Sequence, residues 1–247
     1  VARPPVIVTQ SGDRGASLAA TLRRRGFAAE HVPLVETVTR IDAVRRLPHA
    51  ASGPAAWVFT SAAAIRAIRS FEPAAERLRA APFAFALGEA TWRELRAVHN
   101  RAHHFPGVRG ASEFADRLIA SCPPSLDFVF PCGNLALEAL PDALRRAGRR
   151  VEAWMVYDTL LRPEAVERLA AQKGGVVVLF SPSAVAAIGA HPSRGEWLAS
   201  GRFVFLPFGQ TTAKALDELG VWHLDPPPEP SHEALLGYLE TLYPMGA

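Results

Sequence analysis

The feature that most constrains this chain is an internal duplication with an offset of about 120 residues, the mark of one supersecondary pattern used twice. The segment VIVTQSGDRGASLAATLRRRGFAAEHVPLVETV from Val6 aligns with FVFPCGNLALEALPDALRRAGRRVEAWMVYDTL from Phe128. That pairing places Gly26 on Gly148, Leu22 on Leu144 and Thr37 on Thr159. Further blocks follow in the same order. WVFTSAAAIRAI from Trp57 aligns with VVLFSPSAVAAI from Val177, FALGEATWREL from Phe85 with LPFGQTTAKAL from Leu206, and ASEFADRLI from Ala111 with PSHEALLGYL from Pro230. Both halves are expected to share one fold, and the arithmetic of the repeat alone puts their boundary near Pro123.

Each block runs from a short apolar stretch through Gly, Ser, Thr or Pro into a helical pattern. Val6–Val8 leads to a helix over Ser17–Arg25, stopped by Gly26. Trp57–Phe59 leads through Thr60-Ser61 to a helix over Ala62–Ser70, and Phe83–Leu87 leads through Gly88 to one over Ala90–Val98. Strands alternating with helices of this length imply parallel sheets with crossover helices. The strands are continuously apolar, as strands covered on both faces must be. The predicted class is α/β, with two flavodoxin-like lobes, each a doubly wound parallel sheet. The duplicated pair Val32–Arg40 and Trp154–Arg162 breaks the pattern. Both segments are extended and β-rich, and they read as crossings between lobes that lie side by side as a two-stranded connector. The four prolines of Asp225–Pro230 make a rigid loop.

Apolar residues make up 49% of the 247 residues and charged ones 21%, a composition that fills a globular core. The longest apolar runs, Val176–Phe180 and Phe203–Phe208, are far too short to span a bilayer, so no membrane partner is expected. The opening VARPPVIVTQ has no signal-peptide anatomy. Two cysteines, Cys122 and Cys132, make no disulfide framework. The expected compartment is the cytoplasm, or a plastid if a transit segment has been removed. The net charge of +3 rests on 27 basic residues, of which only Lys173 and Lys214 are lysines. That excess is too slight to argue for nucleic acid and suits a small anionic ligand.

No P-loop, no G-x-G-x-x-G after a strand, no H-E-x-x-H, no C-x-x-C and no G-x-S-x-G elbow occurs. His103 and His104 are adjacent, share no face and lack ligand spacing, so they read as part of a solvated loop. No metal and no organic cofactor is expected. What remains is a set of small residues at strand-to-helix turns: Thr9–Gly12, Thr60-Ser61, Gly88–Thr91, Gly110–Ser112, Cys132–Asn134, Ser181–Ser183, Gly209–Thr212 and Ser231. Backbone N–H groups at such turns bind anions without cationic side chains. Plain N-capping explains any one of them. Their duplicated placement favours a shared binding edge, because ligands sit beyond the carboxyl ends of parallel strands. The arginines of Arg23–Arg25 and Arg145–Arg150 fall in last turns of helices, where the dipole favours them. Tyr157 lies on a crossing strand and replaces Val35 of the other repeat. It reads either as a packing residue with one hydrogen bond or as a proton donor at the mouth of a cleft.

The runs VFTSAAAI, FALGEAT, GASEFADRL, FPCGNLALEALPDALRRAG, VEAWMVYDT, VLFSPSAV, FGQTTAKALDELG and PSHEALL, taken in order, resemble the uroporphyrinogen-III synthase family and cover nearly the whole chain. The resemblance implies a discontinuous lobe of residues 1–34 and 163–247, and a second lobe of 41–153. It makes 35–40 and 154–162 the linker strands and puts the active site in the cleft between the lobes. It implies a cofactor-independent cyclisation of hydroxymethylbilane, a linear tetrapyrrole with eight carboxylates, by a monomer. Tyr157, in VYDT, matches the tyrosine proposed to help the hydroxyl leave. The implied substrate-binding residues are Thr60, Ser61, Gly88, Ser112, Gly133, Asn134, Ser181, Ser183, Gly209, Thr211, Thr212 and Ser231. Three positions depart from the family pattern. Gln10 stands where many members carry a basic residue, Ala63 replaces a commonly polar one, and Trp92 replaces a small one. The reading from a different class is a non-catalytic two-lobe module that closes on an anionic ligand.

Overall fold

The computed structural model describes residues 3–108, 110–136 and 138–244. Along the chain run β1 (Val6–Val8), α1 (Gly12–Arg24), β2 (Ala29–His31), β3 (Val35–Thr39), α2 (Ile41–Arg45), β4 (Ala55–Phe59), α3 (Ala62–Arg69) and α4 (Glu72–Ala80). There follow β5 (Phe83–Ala86), α5 (Glu89–Arg96), β6 (Ala102–His103), α6 (Ala111–Ser121), β7 (Asp127–Gly133), α7 (Ala139–Arg146) and β8 (Val151–Leu161). The last part holds α8 (Pro163–Ala170), β9 (Gly175–Leu179), α9 (Pro182–Gly189), α10 (Arg194–Ala199), β10 (Phe203–Pro207), α11 (Gln210–Leu219) and α12 (His232–Leu242). The chain divides into two compact units, one of Val1–Glu36 with Leu160–Ala247 and one of Thr37–Thr159.

The first unit is built on a sheet of order β10-β9-β1-β2, parallel throughout. Val6, Val8, Val176, Val178 and Leu206 face one layer of helices; Ile7, Val177, Leu179 and Phe205 face the other. Both faces are dry, which is why the strands read as unbroken apolar runs. The second unit repeats the plan on the order β8-β7-β4-β5-β6, again parallel, with β3 beside β8. There Trp57, Phe59, Ala84 and Val129 face one layer, and Val58, Phe85, Phe128 and Phe130 the other.

Strand pairing overturns the boundary near Pro123. β7 opens the second repeat, yet it docks on β4 of the first, with Trp57 opposite Val129. Reciprocally, β1 opens the first repeat and docks on β9 of the second, with Ile7 opposite Val177. The duplicated opening segments have changed places, so each sheet is completed by the other repeat. The match extends to the edge: β6 beside β5 has its counterpart in a single parallel bridge of His223 to Phe205 beside β10.

The crossings fall within β3 and β8. The stretch 154–162 is more than a connector, because β8 pairs with β7 as far as Tyr157, and Trp154 and Val156 are buried in the core of the second unit. The helix expected over Ser17–Arg25 starts five residues earlier, at Gly12. Gly15 makes this possible, since a side chain there would collide with the carbonyl oxygen of Gln10. Gly26 follows the helix end with φ +81°, as a C-terminal stop should.

Candidate active site

Because the strands of each sheet are parallel, their carboxyl ends and the following helix N-termini share one edge. In the second unit, β4 ends at Phe59 and the chain turns through Thr60 and Ser61 into α3. Ser61 is the N-cap, its Oγ accepting from the Ala63 N–H at 3.1 Å. Thr60 is half-buried at the same turn. β5 leads to Gly88, exposed, with φ +81°, at the cap of α5. No atom would obstruct a Cβ there, so glycine is needed for its backbone and not for space.

Tyr157 reaches the same edge from β8. It stands opposite Gly133, next to a register shift between Cys132 and Gly133. Its ring lies across Gly133: a Cβ on that glycine would fall 2.5 Å from both Cε2 and Cζ and 2.9 Å from the hydroxyl oxygen. Asn134 fixes the strand carrying the ring. Its backbone N–H donates to Tyr157 O at 3.3 Å, its Oδ1 accepts from Thr159 N–H at 2.8 Å, and its Nδ2 donates to Thr159 O at 3.3 Å. Burial pushes the Tyr157 hydroxyl above its ordinary pKa, the Ser61 side chain beside it pulls it back, the Cys132 thiol adds to the rise, and Arg66 on α3 opposes it. The phenol is therefore a protonated donor throughout the neutral range. Arg66, which sequence reasoning missed, also faces Glu94 at 3.9 Å.

In the first unit, Ser181 caps α9 as Ser61 caps α3. Its Oγ accepts from the Ala184 N–H at 3.2 Å and lies 2.9 Å from the Ser183 hydroxyl. Ser231 caps α12 the same way, accepting from Ala234 N–H at 3.1 Å. Capping thus accounts for an oxygen lone pair of each of these serines and leaves the hydroxyl hydrogens to other partners. Gly209 caps α11 in an extended conformation with φ −163°, so it lacks the backbone demand of Gly88. Thr211 is exposed.

Three expected turn residues are used differently. Thr212 is buried, only 2% exposed. Thr9 is buried and donates to Val178 O at 2.7 Å. Ser112, exposed on α6, lines a groove with Asp142, Arg145 and Arg146 of α7. Trp92 packs within its own unit, its ring 4.4 Å from that of His104 and its Nε1 donating to Ala102 O at 3.2 Å. His104 lies 3.3 Å from Glu89.

A further cluster in the first unit had no local sequence signal. Phe180 follows β9 and Phe208 follows β10, and their rings lie 4.7 Å apart. The His232 ring stands edge-on to both, at 6.1 and 6.0 Å. Its Nε2 is 2.8 Å from Gln10 Oε1. Among the described residues no group of three His, Cys, Asp or Glu could hold a metal ion, and no helix is long and apolar enough to cross a membrane.

The family described as "Uroporphyrinogen-III synthase HemD" matches residues 16–237. Among solved structures, a mutant uroporphyrinogen III synthase from Thermus thermophilus is similar over 97% of this chain and 98% of its own, with a TM-score of 0.68 at 21% identity. The wild-type protein from the same organism gives 0.53 at 23% identity over the same shares. The uroporphyrinogen-III synthetase of Helicobacter pylori gives 0.65 at 20% identity, over 97% of this chain and 99% of that one. At these identities the likeness is one of fold. No curated protein sequence matches the chain.

Proposed function

The chain belongs to the uroporphyrinogen-III synthase family, and from that premise we propose how its strand-end turns carry the reaction. It is a cyclising lyase of tetrapyrrole biosynthesis, closing hydroxymethylbilane to uroporphyrinogen III with inversion of ring D and loss of water. Family membership favours this over a non-catalytic binding module.

The chemistry asks for two things. The terminal hydroxyl must leave, giving an azafulvene on ring A. Ring D must then attack through its substituted α-carbon, giving a spiro intermediate that fragments and recloses inverted. Left alone, the bilane closes to the symmetric type I isomer, so the protein's contribution is mainly to hold the reacting carbons in the less accessible geometry. In our reading the carboxylates are held by N–H groups at the turns of Ser61, Gly88, Ser181 and Gly209, where the helix dipoles favour negative charge without a cationic pocket. Thr60, Ser183, Thr211 and Ser231 add hydroxyl donors from the same turns. Gly133 and Asn134 serve by placing Tyr157.

Tyr157 donates to the departing hydroxyl. The observation that carries this is its phenol, aligned over Gly133 beside Ser61 and kept protonated by burial. General acid help is typically worth about 10²–10⁴-fold. Because the azafulvene also forms spontaneously, the help here falls at or below the low end of that range. Tyr157→Phe removes only the hydroxyl. The expected result is a rate about tenfold lower, an unchanged melting temperature and a product that is still isomer III. An unchanged rate would make Tyr157 a packing residue. We further propose that the enzyme works as a monomer, which the self-contained cores support, and in the cytoplasm, which its two free thiols support.

A further inference from the structure

The His232 cluster sits where the carboxyl ends of three strands of the first unit meet. Gln10 lies two residues past β1, Phe180 one past β9 and Phe208 one past β10. Two aromatic rings hold the imidazole edge-on, so its orientation is fixed by packing. The Gln10 amide oxygen faces Nε2 at 2.8 Å. An oxygen only accepts, so Nε2 carries the proton of the neutral ring. Nδ1 then holds the lone pair; among the described residues the one hydrogen bond of the ring is that of Nε2. Ser181, Ser183 and Gly209 stand at the turns beside the two phenylalanines.

We propose that His232 is a binding contact for the substrate, its Nδ1 taking up a proton and the resulting N–H donating a hydrogen bond to one substrate carboxylate. This rests on the synthase reading above. Neutral, the ring turns a lone pair toward an anion and repels it. Protonated, it presents an N–H donor and a positive charge, and a charge-assisted hydrogen bond is about twice as strong as a neutral one. Without substrate, protonation is disfavoured, first by burial and then by Arg14 on α1. Arg14 is the charged group acting on the ring; the other elements packed on it present Gln10, Phe180 and Phe208. Substrate carboxylates, with ordinary values near 4, are ionised well below the range in which the imidazole titrates. A proton taken up on binding therefore belongs to the protein. The sign is fixed: binding raises the imidazole pKa, so binding weakens as pH rises through the value in the complex.

The test is steady-state kinetics with freshly prepared hydroxymethylbilane between pH 6 and 9, the spontaneous type I background being subtracted. For the wild type, KM should climb about tenfold across the range, the worth of one charge-assisted contact, and this pH dependence should fall on KM and not on kcat. His232→Gln keeps a partner for Gln10 but cannot titrate. Its KM should be flat and equal to the high-pH value of the wild type. A variant whose KM follows the wild-type profile would overturn the assignment. Should His232→Gln fail to fold, calorimetry of the wild type with anaerobic uroporphyrinogen III, in two buffers of different ionisation enthalpy, decides the matter. Proton uptake at pH 7.5 is expected, and its absence overturns the proposal. The two readings fail separately: a wild type giving only isomer I sinks the synthase reading, whereas isomer III with a pH-blind role for His232 sinks this one alone.

Discussion

Gly133→Ala tests the placement of Tyr157 without touching the tyrosine. Gly133 has no positive φ, so alanine costs the backbone little. The new methyl group, however, would lie 2.5 Å from two ring carbons. Ordinary contact begins near 3.4 Å, so the ring must retreat by about 1 Å, enough to carry the hydroxyl out of line, and the rate should fall by up to the factor of about ten expected of Tyr157→Phe. The ring is half-buried on a paired strand, and overpacking of this kind typically costs about 1–3 kcal/mol. For a chain of this size that is a fall of roughly 2–12 °C in melting temperature. The assay is the initial rate of isomer III formation, with thermal melting alongside. Repeating Gly133→Ala in a Tyr157→Phe background separates the two effects: the melting loss should persist, because phenylalanine has the same ring carbons, while most of the extra rate loss should vanish. Wild-type rate and stability in Gly133→Ala would refute the ring's position. An equal rate loss in both backgrounds would refute its action through the hydroxyl.

Other consequences follow from the same geometry. Gly88→Ala places a side chain at φ +81° and should lose about 1–2 kcal/mol, whereas Gly209→Ala, at φ −163° with only Pro230 3.8 Å from the new methyl, should melt within about 0.5 kcal/mol of wild type. Burial pushes the Cys122 and Cys132 thiols up to about 11, so native protein at pH 7.5 should resist iodoacetamide and react only on unfolding. His232 has its folded pKa below the ordinary value, burial being the main cause. Its contribution to stability is thus complete above about pH 6.5 and is lost as pH falls through the lower folded value. Thermal melts from pH 7.5 to 5 should fall less steeply for His232→Gln.

The layered fold was legible because it is written locally: apolar runs of three to six residues, small residues at turns, and the whole pattern given twice. The exchange of β1 and β7 was not, since local pattern is blind to which of two equivalent sheets a strand completes. The resemblance supplied that, and the register of Trp57 with Val129 gives its physical form. Within the site, Thr9 and Thr212 read as open hydroxyls because threonine at a strand end is ambiguous; packing put both inside. Gly88 and Gly209 occupy the same place in the repeat, yet only one has a left-handed backbone, a difference no residue type records. Gln10 and His232 are 222 residues apart in sequence, and only the meeting of three strand ends makes them neighbours.

The central claim is that this chain directs closure of hydroxymethylbilane to the inverted isomer. The most direct measurement is isomer analysis of the product that the purified protein forms from freshly made hydroxymethylbilane, against a protein-free control. Isomer III in excess of the spontaneous background is expected, retained though slower in Tyr157→Phe. Product that is only the symmetric type I isomer, at the control rate, would contradict it.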